Sequence, residues 1–267
     1  MNNIALQYYD ESKNIWGLPQ QYKDLLLYPI MIADTKYWNL FFKLLTYPKN
    51  FIAEKQIIKM SYLKFVMYAL PNENSARSIR DDFIDFIKYI TKENDVYITE
   101  IIKEKPITSY SSFDIKVIIN DRVFTENDLD NIREIILEQN GLGIEYVEKY
   151  SPELEKSLIY ANKRNSVNEE DQITIFSVLS GQSIDEIKKY TVYQFSKLFE
   201  RFLLLEDFRL YQPLLTSGQI ELKNGKIQHY SVHVGKKGRY DSILVDVDEF
   251  EDKHKGLIPP RKRKIRS

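Results

Sequence analysis

The chain has 267 residues and a mass of 31.7 kDa, room for one large domain or two small ones. Its 38 Lys+Arg and 39 Asp+Glu almost cancel to a net charge of −1, but seven of the basic residues fall in residues 253–267, where no acid stands, so residues 1–252 hold 31 basic against 39 acidic residues, about −8. Zero Cys excludes a disulfide framework, a thiolate metal site and a cysteine nucleophile, while 43% hydrophobic and 13% aromatic content excludes a disordered chain.

Residues 1–70 are aromatic and apolar. Trp38-Asn-Leu-Phe-Phe-Lys-Leu-Leu and Ile57-Ile-Lys-Met-Ser-Tyr-Leu-Lys-Phe-Val-Met-Tyr recur at helical spacing. Asp34 or Thr35 can cap the first helix and Pro48 ends it; Pro71 breaks the second. The uncharged apolar run 25–33 spans nine residues, against about 20 for a bilayer crossing. The first ten residues lack the basic and apolar regions of a secretory signal. These features lead us to expect a cytoplasmic protein with no membrane partner. A third amphipathic helix, about 76–91, gathers Ile79, Phe83, Phe86, Ile87 and Ile90 on one face and leaves Asp81, Asp82 and Asp85 as its solvent face.

The period then changes. Val96-Tyr-Ile-Thr-Glu-Ile-Ile and Phe113-Asp-Ile-Lys-Val-Ile-Ile are rich in β-branched residues, and Asn120-Asp121 offers a tight turn into Arg122-Val-Phe. A small antiparallel sheet over about 96–124 follows. Thr125-Glu-Asn-Asp opens a helix that runs to about Asn140 and stops at Gly141. Residues 145–168 are polar and predict a loop or linker. A helix over 169–179 ends at Ser180-Gly181, Ser183-Ile-Asp-Glu caps a short one, and Thr191-Val-Tyr-Gln caps a long one reaching about 215. Beyond Gly218, glycines at 225, 235 and 238 predict short strands, and the basic tail follows.

The expected fold class is therefore α+β and predominantly α-helical. A mixed domain over 1–144 precedes the loop 145–168, a helical module with a short β-hairpin region over 169–252, and the flexible tail 253–267.

Candidate chemistry is sparse. His229 and His233 have i, i+4 spacing, but a strand would hold them about 13 Å apart, and Tyr230 replaces the Glu that a helical zinc motif needs. Val245-Asp-Val-Asp-Glu-Phe-Glu-Asp lacks the glycine of a calcium loop, with Glu251 in its place, and reads as a solvated acidic edge. Gly235-Lys-Lys-Gly238 lacks the ending of a phosphate-binding loop. No nucleophile arrangement is recognisable, so neither catalysis, nor a cofactor, nor a metal is expected. The stretch 173–202 has the order of a helix-turn-helix, yet its last helix sets Lys197, Arg201 and Arg209 against Glu200, Glu206 and Asp207. A packed helical module is the better reading, since such a balanced helix suits phosphate poorly. The candidate contacts are Arg261, Lys262, Arg263, Lys264 and Arg266, which can meet an acidic protein or nucleic-acid phosphates.

Leu27-Tyr-Pro-Ile, Lys59-Met-Ser-Tyr-Leu-Lys-Phe, Asn131-Ile-Arg-Glu-Ile-Ile-Leu-Glu-Gln-Asn140, Ile227-Gln-His-Tyr230 and Lys237-Gly-Arg-Tyr-Asp241 together resemble proteins from the virion-structure and tail-assembly modules of tailed bacteriophages of low-GC Gram-positive bacteria. Tyr230 departs from the Trp expected after His229 in that pattern. The resemblance implies a non-enzymatic structural or assembly protein of the tail or baseplate, or its assembly chaperone. Its implied partners are other phage structural proteins and further copies of the chain. It would be found in the host cytoplasm during assembly or in the virion. The alternative is a nucleic-acid-binding accessory protein using the basic tail and the helix-turn-helix-like segment.

Overall fold

A computed structural model describes residues 3–52, 54–70, 78–103, 113–142, 151–162, 169–217 and 229–232. Among these residues the fold is α+β and predominantly helical, with two small antiparallel sheets. Helix α1 (Asn3–Tyr8) leads into a hairpin, β1 (Gln20–Tyr22) with β2 (Leu25–Leu27). The hairpin lies in residues 1–70, where the sequence predicts two helices and no strand. Its strands are too short to show alternation, and its turn carries Lys23 at φ 54° where a glycine would have signalled it.

Helix α2 (Thr35–Phe41) passes directly into a π-helical turn over Phe42–Thr46 that stops before Pro48. Asp34 occupies the N-cap position but makes no side-chain cap bond. Its carboxylate instead accepts the Tyr89 hydroxyl at 2.5 Å. The second helical stretch is split. A 3₁₀ turn at Ile57–Lys59 ends at extended Met60, and Ser61 caps α3 (Tyr62–Lys64), which widens into a π turn at Phe65–Ala69. The Ser61 hydroxyl accepting from Lys64 N–H restarts the helix. Such local competition is invisible to hydrophobic spacing.

Helix α4 (Ile79–Thr91) starts at the Ser78 cap, and its buried face is the one expected. Its acids are not all solvated: Asp82 is 6% exposed and pairs with Lys43 at 2.8 Å, and Asp85 pairs with Lys36. The neighbouring helix α2 and its π turn bring those lysines across, which sequence alone could not place. The sheet follows as β3 (Val96–Ile102), β4 (Phe113–Ile119) and β5 (Arg122–Thr125), all antiparallel in the order β3-β4-β5. Asn120 and Asp121 both take positive φ in the connecting turn, as tight hairpins require. Phe113, Ile115, Val117 and Ile119 alternate inward on β4.

Helix α5 (Glu126–Gln139) is closed by a Thr125/Asp128 capping box and ends before Gly141 at φ +84°. It buries Leu129, Ile132, Ile135 and Ile136 beside Phe83, Phe86 and Ile90 of α4 in the main core. Glu126 ties three elements together: it accepts from Ser61 Oγ at 2.7 Å and from Ile115 N–H at 2.9 Å, and lies 3.0 Å from buried Lys64 Nζ.

The stretch 145–168 is not simply a loop. Helix α6 (Pro152–Asn162) lies within it, with Glu153 and Glu155 in the first turn. Pro152, Glu155 and Leu158 are buried at i, i+3 spacing, and Asn50 accepts Ser151 N–H at 2.7 Å. The docking surface that makes this polar segment helical belongs to the distant residues 49–51.

Candidate contact surface

Helices α7 (Glu169–Ser180), α8 (Ile184–Ile187) and α9 (Val192–Thr216) follow in the expected order. Gly181 at φ +73° ends α7, and capping boxes Ser183/Glu186 and Thr191/Gln194 open the next two. A second core forms from Phe176, Ile187 and Phe195 together with Ile32 from the N-terminal half. Phe176 meets Phe195, Phe199 and Phe202 edge-on at 5.5–6.2 Å, so the aromatic face of α9 is packed.

The cations of α9 are engaged. Lys197 pairs with Glu200 at 3.3 Å and Arg209 with Glu206 at 2.9 Å. Arg201 donates to the carbonyls of Tyr230, at 2.8 Å, and Val232. This arrangement fits a packed helical module better than a helix that reads DNA.

Residues 229–232 form a turn, Val232 N–H donating to His229 O at 3.1 Å, where the sequence predicted a strand. The His229 ring bonds Ser231 locally, Nδ1 to Oγ at 2.6 Å, and stacks on Tyr230, both rings packing against Phe208. Those local bonds and ring contacts compete with an extended ladder. The strand-length argument about His229 and His233 therefore has no support at residues 229–232. His233 lies outside the described residues, as do Gly235, Gly238, residues 245–252 and the contact candidates Arg261, Lys262, Arg263, Lys264 and Arg266. Among the described residues no cluster of His, Asp or Glu could hold a metal ion, and no helix is long and apolar enough to cross a membrane.

The turn closes one end of a shallow groove of about 270 Å³, between Phe176 and Ser180 of α7, Leu198, Phe202 and Leu205 of α9, and Tyr230. Arg201 forms part of its wall. Elsewhere on the module several large apolar side chains are exposed. Val178 is 80% exposed, Ile184 56% and Leu210 59%, with Leu179 and Leu203 also exposed. Leu203 and Leu210 both lie on α9, seven residues apart and so on one side of it.

A further apolar projection stands beside the N-terminus of α9. Trp16, 75% exposed, caps a tight loop with exposed Ile15 and Leu18. Backbone bonds from Gly17 N–H to Asn14 O and from Leu18 N–H to Lys13 O close this loop, and Gln194 Nε2 donates to Ile15 O at 2.8 Å. Sequence reasoning did not single out Trp16, because a tryptophan in an apolar region reads as core.

Residues 162–235 match the sequence family described as YomV second domain, which spans the helices and turn just described and a little over a quarter of the chain. YomV is a Bacillus phage-region protein, so the likeness points to a phage-associated protein. Comparison with curated proteins and with solved structures found no match.

Proposed function

We propose that the protein is a structural or assembly component of a phage tail or baseplate, or an assembly chaperone for one, and that it works by protein–protein contact rather than catalysis. The observation that carries this reading is the likeness of residues 162–235 to a phage-region domain, a stretch in which Val178, Ile184, Leu203 and Leu210 stand exposed to solvent. Large apolar side chains left this exposed on one small module are candidates for contact with a partner. In this reading the helical module docks on neighbouring virion proteins, and the basic residues 253–267 neutralise an acidic partner. The pairing of Lys197, Arg201 and Arg209 weighs against nucleic acid as the partner of α9.

Co-expression with phage tail and baseplate proteins from the same genome is the test. A stable complex is expected, and the double variant Val178→Asp/Leu210→Asp should weaken it at least about tenfold, or about 1.4 kcal/mol, with an unchanged melting curve. Purification of the chain alone from every pairing would end the proposal.

A further inference from the structure

The Trp16 loop and the groove lie along one face of α9. Gln194, which holds Ile15, and the groove residues Leu198, Arg201 and Leu205 are spaced i, i+4, i+7 and i+11. They therefore form a single stripe about 17 Å long at 1.5 Å per residue. An aromatic projection stands at one end and an apolar depression at the other. Trp16 does not fill its own groove, being 75% exposed. The loop that carries it is held in place: Gly17 has φ +66°, and a Cβ there would stand 3.1 Å from Thr191 Cγ2.

We propose that this stripe is a self-complementary interface, on which a second copy of the chain docks with its α9 antiparallel and each Trp16 enters the other copy's groove. A two-fold axis near Leu198 relates the ends of the stripe, so that each projection meets a depression as an isologous contact demands. The groove walls suit an indole, with Phe202 and Tyr230 for ring contact and the Arg201 guanidinium for its π face. The area also suits a dimer. Trp16, Ile15, Leu18, Leu198 and Tyr230, weighted by their exposure, offer roughly 500 Å² per copy at about 200 Å² for a fully exposed large side chain. A stable interface takes about 800 Å² per partner, a little over half of it apolar. The pairing does not depend on the phage role, since its residues differ from Val178, Ile184, Leu203 and Leu210 and its partner is the chain itself.

The test is analytical ultracentrifugation of the full chain, with the circular-dichroism melt recorded for each variant. The wild type should sediment as a dimer. Trp16→Ala and Leu198→Glu should each raise the dissociation constant at least about tenfold, with Trp16→Ala melting like the wild type because its side chain is exposed. Since the chain has no Cys, crosslinking supplies an independent readout. Leu18→Cys mixed with Ser180→Cys should give a covalent dimer with a short bifunctional maleimide. A monomer at the highest soluble concentration, a dimer indifferent to Trp16→Ala, or no crosslink between the mixed variants would overturn the proposal.

Discussion

Asp128 shows how much one short side chain organises. Its carboxylate accepts from Lys23 Nζ at 2.7 Å, Tyr22 Oη at 2.8 Å, and the Thr125 hydroxyl and N–H at 2.9 and 3.0 Å. Burial works to raise its pKa, but the Lys23 ion pair and the surrounding donors outweigh it and hold the group at about 2. A carboxylate depressed below its unfolded value of about 3.9 lends stability that is complete above that value and is lost as pH falls through about 2. Denaturant midpoints measured from pH 5 to pH 2 should fall, and Asp128→Asn should show a shallower fall over the same window. An equal slope in the variant would show that Asp128 contributes nothing to acid sensitivity. Asp130, two residues on, is shifted the other way: burial raises it, although Tyr62 N–H donates to it at 3.0 Å. Two carboxylates on one helix thus differ through burial and through the number of donors that reach them.

At the scale of elements, the helix starts follow local rules while the helix ends and interiors obey their neighbours. The boxes at Thr125, Ser183 and Thr191 each satisfy two N–H groups reciprocally. By contrast, the π turns at Phe42–Thr46 and Phe65–Ala69 keep a helical hydrophobic pattern and cannot be told from ordinary α-helix by spacing. The α7–α9 module has a small core, and Phe176 is its centre, in ring contact with three phenylalanines of α9. Phe176→Ala should therefore cost about 3–5 kcal/mol. Hydrogen exchange is the appropriate measurement. Protection should be lost first in residues 169–205 while α5 stays protected; uniform loss across both would show one cooperative unit instead.

At the scale of the whole molecule, the two cores are interlocked by the segment 30–32. Val192 N–H donates to Ile30 O and Ile32 N–H to Tyr190 O, both at 2.9 Å, with Met31 bridging Thr191. Ile32 is buried in the C-terminal core, whereas Val192 is buried in the main one. One of the four buried residues of the smaller core thus comes from the other half of the chain. An isolated fragment of residues 162–235 should accordingly lack a cooperative melt and a dispersed amide spectrum, and the same segment within the full chain should show both. A cooperatively folded fragment would refute the dependence on Ile32.

Sequence by itself determined what depends on neighbours a few residues apart: the predominantly helical class, the alternating face of β4, the Asn120-Asp121 turn and the three capping boxes. Those signals are local, because side-chain period, positive φ and cap hydrogen bonds are settled within a turn of chain. Only the tertiary structure decided that Gln20–Leu27 pairs as a hairpin, that residues 152–162 are helical against Asn50, that Asp82 is buried beside Lys43, and that His229 lies in a turn on Phe208. It also decided that Trp16 faces solvent beside the N-terminal end of α9. Each of these rests on a contact between residues that no local pattern pairs, and burial is a property of where the chain meets itself.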